Sequence, residues 1–186
     1  VCQKTIDLWA GVLRAAPAST LLLKGHATPG GIGDRELRSN FEKRGVDPAR
    51  VEIIARTKAM DDHLRAYERV DIALDTFPYH GTTTTCEAIL MGTPVVTLAG
   101  ELHVSRVGAS LLKAVGAPEL VAATDEDFVR IASELANDRG RTAAYHRGLR
   151  ERLLASPLCD GTGFAERFAA ALRSMWKAEC AKRARA

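Results

Sequence analysis

Aromatic residues make up only 5% of this 186-residue sequence, and no apolar run is long enough to cross a bilayer. No secretory leader pattern opens it, so neither a membrane partner nor export is expected. Cysteine is scarce and scattered: Cys2, Cys86, Cys159 and Cys180 show no CxxC or other metal spacing. That excludes a zinc-ribbon reading and a disulfide framework, and makes a reducing, cytoplasmic setting the expectation. Charge of one sign is lacking too. A net charge of +3, with the basic residues spread along the chain, is too small an excess to argue for nucleic acid. The one basic cluster, residues 182–186, reads as the solvated end of a helix. No repeat at solenoid periods is present.

What is present, 46% hydrophobic and 26% charged residues, fits one globular domain with a real core. Apolar periodicity switches between strand and helix along the chain. Ile6, Trp9, Ala10, Leu13 and Ala16 mark a first helix that Pro17 ends, with Trp9 in the core. Ser19–Lys24 reads as a buried strand, with Lys24 and His26 at the end where ligands gather in open α/β sheets. The glycine-rich run at 28–33 lacks the GxGxxG spacing of a dinucleotide site and reads as a loop. Asp34 is expected to cap the helix that follows, and Val51–Ala55 is the next strand. Asp61 or Asp62 is expected to cap a short helix with His63 in its first turn and Leu64 and Tyr67 inward.

The run Asp71–Gly100, DIALDTFPYHGTTTTCEAILMGTPVVTLAG, organises the rest. Asp71–Asp75 reads as a strand buried on both faces, Thr76–Gly81 as a turn carrying Pro78, and Thr82–Met91 as a helix that Gly92 and Pro94 end. Pro94–Leu98 is the following strand. A helix N-terminus offers unpaired N–H groups and a partial positive charge, which together favour phosphate. Glu87 stands about one and a half turns in, at a place suited to accept from ribose hydroxyls. The competing reading is that Thr82 or Thr83 serves only as an N-cap. Beyond it, Glu101–Gly116 reads as an amphipathic helix with Val104, Val107, Leu111 and Val115 on one face. Its first turn, with Glu101, His103, Ser105 and Arg106, is expected at the same cleft. Glu119–Ala122 is a last strand. Thr124 opens a helix with a capping-box-like pattern, Thr142–Ala155 forms a basic helix, and a final helix carries Phe164, Phe168, Leu172, Met175 and Trp176 as a packing stripe. Strand and helix alternate throughout, so the expected fold is α/β with a doubly wound, Rossmann-like parallel sheet.

The runs LDTFPYHGTTTTCEAILMGTPVVTL, AGELHVSRVGASLL, SPLCDGTGFAERFAAALRSMW and TIDLWAGVL closely resemble the C-terminal catalytic region of the SPINDLY / O-linked N-acetylglucosamine transferase family. The resemblance covers nearly the whole chain. It implies one domain, residues 1–186, forming the nucleotide-sugar-binding lobe of a two-lobed GT-B glycosyltransferase with C-terminal helices from about residue 142 to 183. It also implies an N-terminal lobe and tetratricopeptide repeats upstream, and a sequence that begins inside a longer protein.

By resemblance, Thr82, Thr83 and Thr84 hold a diphosphate, Glu87 the ribose, His63 the base, Lys58 lies near the base edge, and Arg106 matches the arginine of the family's SRV run. The implied donor is UDP-N-acetylglucosamine, the acceptors are Ser or Thr hydroxyls of proteins, and neither cofactor nor metal is implied. The general base is expected in the preceding lobe, so residues 1–186 alone are expected to transfer nothing. The TFPYxGTTTTCE form also looks like the plant branch, which resembles protein O-fucosyltransferases using GDP-fucose. Met60 and Asp61 stand where related transferases carry a lysine, which leaves the base open. A non-catalytic nucleotide-sugar-binding or scaffold domain is the reading from another class.

Overall fold

The computed structural model describes residues 1–25 and 29–183; His26 therefore lies outside the described residues. The chain begins with α1 (Gln3–Ala15), whose buried face includes Ile6, Leu8, Trp9, Val12 and Leu13. Four further units follow: β1 (Leu21–Gly25) with α2 (Ile32–Glu42), β2 (Val51–Ala55) with α3 (Met60–Arg65), β3 (Ala73–Leu74) with α4 (Thr83–Leu90), and β4 (Val95–Leu98) with α5 (Val107–Ala114). Then come β5 (Val121–Ala122), α6 (Asp125–Asn137), α7 (Arg139–Leu154) and α8 (Gly161–Arg183).

All strand pairing is parallel, as alternating strands and crossover helices require. β1 pairs with β2, β3 with β4 and β4 with β5. The lobe is therefore α/β and Rossmann-like, but its strands form two blocks, β1–β2 and β3–β4–β5. The core includes Phe41, Ile89, Leu112, Leu120, Phe128, Leu135 and Leu149, all fully buried, and each such side chain contributes roughly 1.5–3 kcal/mol. Trp9, 4% exposed, joins it and donates its Nε1–H to the Asp75 carbonyl at 3.3 Å.

Local signals explain most element ends. Thr124 Oγ1 accepts from the Asp127 N–H at 3.2 Å, the cap expected for α6. α4 ends in a Schellman turn: the Gly92 N–H donates to Ile89 and the Thr93 N–H to Ala88, with Gly92 at φ +84°.

Several expectations need correction. The strands expected to be buried at Ser19–Lys24 and Asp71–Asp75 are Leu21–Gly25 and Ala73–Leu74, and beyond Leu21 their residues are only half-buried. Among the described residues each pairs on one side only, because no ladder joins β1 to β3. By contrast β4 is buried throughout. Asp34 is not an N-cap: α2 starts at Ile32 after Gly31. Asp34 instead accepts from the Gly30 N–H and from Arg38, which hold its carboxyl below the usual range. Neither Asp61 nor Asp62 caps α3; Ala59 is the N-cap residue, and both acids sit in the first turn. The single helix expected at Glu101–Gly116 is a 3₁₀ turn, His103–Ser105, followed by α5 from Val107. The Ser105 carbonyl takes the Gly100 N–H at 2.8 Å, which doubles the chain back on itself before the helix can start. The packing stripe on α8, expected to be exposed in part because the resemblance sets this helix against the other lobe, is exposed throughout: Phe164, Phe168, Leu172, Met175 and Trp176 are 51–70% exposed.

Gly92 tests this construction. A Cβ there would stand 2.6 Å from the His146 carbonyl oxygen on α7, whereas one on Gly116, at φ +68°, would meet nothing within 4 Å. Gly116→Ala should cost about 1 kcal/mol of strain, and Gly92→Ala about 3 kcal/mol because α7 must also move. Urea unfolding of the two variants should separate them by that margin; equal losses would mean that α4 and α7 are not in contact through Gly92.

Candidate functional site

The C-terminal ends of parallel strands are where a doubly wound sheet collects its loops, and here they present three groups in series. Lys24, near the end of β1, reaches His63 on α3: its ammonium is 2.9 Å from Nδ1 and donates to Thr57 Oγ1 at 2.9 Å. His63 Nε2 lies 3.0 Å from Glu87 Oε2 on α4. An ammonium has only protons to offer, so Nδ1 is the acceptor and Nε2 carries the hydrogen that Glu87 receives. The imidazole is thereby fixed by a cation on one side and a carboxylate on the other, with 29% of its side chain exposed. Tyr67 packs edge-on against it, 6.0 Å between ring centres at 88°, and donates its hydroxyl to the Thr84 carbonyl at 3.1 Å. Burial, aided by the Glu87 charge, pushes the Tyr67 phenol up to about 12, so it remains a donor at neutral pH.

Beside this chain stands the N-terminus of α4. Thr82 is its N-cap residue but makes no side-chain cap bond, and Thr85 Oγ1 turns back to the Gly81 carbonyl at 3.0 Å. The simple capping reading of Thr82 therefore fails. No acidic residue occupies the first turn, so nothing there offsets the helix dipole.

One buried carboxylate shapes the loop that delivers α4. Asp75 Oδ1 accepts from the Thr76 and Gly81 N–H groups, both at 2.9 Å, and Oδ2 accepts from the Thr97 hydroxyl at 2.7 Å. His80, with its side chain fully enclosed, bridges the next elements: Nδ1 accepts from the Gly108 N–H at 3.1 Å, and Nε2 donates to the Leu98 carbonyl at 3.0 Å. Burial raises the Asp75 carboxyl above its ordinary range; the Gly81 N–H and then the Thr97 hydroxyl pull the other way.

The structure brings His63, Thr83, Thr84, Glu87 and Lys58 to one cleft. Thr82 is exposed and adjoins Thr83 without lining it. Arg106 stands apart, at the start of α5, donating to the Gly100 carbonyl at 2.9 Å. Lys24 was expected at a strand end where ligands gather, as a phosphate contact or a plain surface lysine, but nothing in the sequence tied it to His63. The participant that sequence reasoning missed is Tyr67, placed inward only for packing. The spacing of His63 and Tyr67, four residues apart, was the available signal. Among the described residues no three His, Cys, Asp or Glu side chains are grouped to hold a metal, and no helix is long and apolar enough to cross a membrane. The cleft measures about 1590 Å³, more than the roughly 300–1,000 Å³ of small-ligand pockets, because it continues down between β1 and β3.

Comparison with known proteins sets this geometry in a family. The family model for glycosyl transferase family 41 matches residues 1–168. The chain belongs to glycosyl transferase family 41. Within it, the chain is 41% identical over 182 residues to the SPINDLY protein of Petunia hybrida, named a probable UDP-N-acetylglucosamine–peptide N-acetylglucosaminyltransferase, covering 97% of this chain and 19% of that protein. A Caenorhabditis elegans UDP-N-acetylglucosamine–peptide N-acetylglucosaminyltransferase is 33% identical, with 93% of this chain and 15% of that protein covered. Among solved structures, a mutant of Thermobaculum terrenum O-GlcNAc transferase superposes with a TM-score of 0.87 at 37% identity, over 94% of this chain and 34% of that one. The chain thus spans about a fifth of the length of the curated relatives it matches.

Asp75 yields a pH-dependent prediction for this family 41 lobe. A carboxyl whose pKa is raised on folding contributes stability that is full below its unfolded value and is lost as pH rises through the folded value. Asp75→Asn keeps an acceptor for Thr76 and Gly81 without a charge. The melting temperature of the native protein relative to Asp75→Asn should therefore fall between pH 4 and pH 7. Asp75→Ala, which strands both N–H groups, should cost about 2 kcal/mol at either pH. A pH-independent difference between native and Asn proteins would show that Asp75 titrates normally.

Proposed function

We propose that residues 1–186 form the donor-binding lobe of a GT-B protein O-glycosyltransferase that takes N-acetylglucosamine from UDP-N-acetylglucosamine to Ser or Thr hydroxyls. The observation that carries this reading is the meeting of the uncapped α4 N-terminus with the Lys24–His63–Glu87 chain at the C-terminal edge of the sheet. The first N–H groups of α4 and the hydroxyls of Thr83 and Thr84 receive the diphosphate, with Thr82 at its margin. Lys24 lies close enough to add a cation. His63 and Lys58 face the base, and Glu87, which holds His63 through one oxygen, offers the other to the ribose. When the bond from the anomeric carbon to the phosphate oxygen breaks, that oxygen keeps the electron pair. The donors that held the diphosphate then stabilise the charge that develops on it.

The acceptor hydroxyl must lose a proton to a base, and that base belongs to the preceding lobe in this reading. The tetratricopeptide repeats, the protein acceptors and a cytoplasmic setting belong to the same proposal. The exposed stripe of α8 suits a helix covered by the other lobe. Arg106, bound to the loop after β4, is assigned to shaping that loop rather than to the nucleotide.

A thermal-shift titration with UDP and GDP tests this. UDP should raise the melting temperature by linkage, and the doubly substituted Thr83→Ala, Thr84→Ala protein should bind about tenfold more weakly, about 1.4 kcal/mol, with its own stability unchanged. A larger shift with GDP would replace the donor by a guanosine sugar such as GDP-fucose. No shift with either, in the full-length protein, would leave the scaffold reading.

A further inference from the structure

The groups along the cleft stand in a fixed order. Thr83 and Thr84 open α4, Glu87 follows one turn further along it, His63 lies beyond Glu87, and Lys24 lies beyond His63. All five line the same cleft. In the donor-lobe reading the diphosphate takes the first place and the ribose the second, at Glu87. A nucleotide laid out in that order stacks its base on the His63 ring. Lys24 then stands at the end of the row most distant from the phosphates.

The protein does not use up what Lys24 offers. A lysine ammonium carries three hydrogens and accepts nothing. Thr57 Oγ1 takes one at 2.9 Å, and His63 Nδ1 takes another at 2.9 Å. Among the described residues no acceptor takes the third, and no ion pair includes Lys24. Both partners are neutral, so the charge is not offset. They also come from separate elements, Thr57 from the loop after β2 and His63 from α3, and two such anchors hold the half-buried ammonium in one place. A donor fixed in this way favours an acceptor opposite it and disfavours a second donor.

We propose that Lys24 reads the base of the bound nucleotide, its third hydrogen donating to an exocyclic carbonyl oxygen on the base edge away from the ribose. Uracil offers O4 at that edge and guanine O6, whereas cytosine and adenine carry amino groups there. The site therefore takes keto bases and rejects amino bases, whichever of the two keto bases the donor carries. Lys24 is a specificity-determining residue in this role. Its charge acts on the diphosphate only through space, while its contact is with the base. Losing Lys24 also frees the His63 ring to turn, but that effect on stacking falls on every base alike.

This inference rests on the donor-lobe reading, and one experiment separates the two. Dissociation constants for UDP, CDP, GDP and ADP are measured by calorimetry on the full-length protein and on its Lys24→Met and Thr57→Val variants. The native protein should bind the keto member of at least one pair, UDP over CDP or GDP over ADP, about tenfold or more tightly. Lys24→Met, similar in length but without a donor, should bring that ratio below about threefold, chiefly by weakening the keto nucleotide. Thr57→Val, a change at an exposed position that removes one anchor and leaves the charge, should lower the ratio in the same direction. Weakening of all four nucleotides alike, with the ratio intact in both variants, would overturn the inference and make Lys24 a phosphate contact; the donor-lobe reading would stand. A native protein that binds both members of each pair equally would overturn it too. Failure of all four to bind the native protein would overturn both readings.

Discussion

The carboxylate of Asp75 is the constraint on which the rest of the lobe turns. It sits at the end of β3, buried, and its two oxygens are shared among the loop that follows, through Thr76 and Gly81, and β4, through Thr97. His80, emerging from that loop, ties β4 to the first turn of α5 through Leu98 and Gly108. A charged or half-charged group is costly to bury unless every lone pair is used. Here that cost secures one loop path, and the path sets where α4 begins. The phosphate-binding role proposed for α4 is thus inherited from a residue that no ligand would touch.

Much of this was legible in the sequence because local signals and the global fold agree. Val51–Ala55 is a strand with the bounds expected, α4 ends at Gly92 as its φ requires, and Thr124 opens α6. The expectations that failed share a physical cause: each depended on something outside its own segment. Whether Ser19–Lys24 and Asp71–Asp75 are buried depends on a neighbour in the sheet. Whether α5 starts at Glu101 or Val107 depends on Ser105 turning back to Gly100. Asp34 had the right residue type for a cap, but Gly30 and Arg38 made better use of its carboxylate further along the helix.

The candidate site shows the same division. Residue types and spacing pointed to His63, Glu87 and the threonines, because their chemistry is written in the α4 run and in the short helix before it. Periodicity carries no information about which strand-end lysine meets which histidine, so the contact of Lys24 with His63 emerged only once β1 and α3 were placed side by side. Arg106 illustrates the opposite case. Its family resemblance is strong, but in the lobe as described one of its guanidinium nitrogens donates to the Gly100 carbonyl and it lies apart from the His63 cleft.

The exposed ridge of α8 has a consequence for how the molecule melts. A helix of 23 residues with no buried side chain draws almost nothing from the core and rests on its own backbone bonds, its Arg183–Glu179 pair and the Phe164–Phe168 stack. Helices held only by such local terms are marginal in water. Heating should therefore unwind α8 gradually and ahead of the cooperative transition of the lobe, so circular dichroism and calorimetry on the same sample will trace different curves. A surface laid over the ridge would draw α8 into the cooperative unit and bring the two curves together.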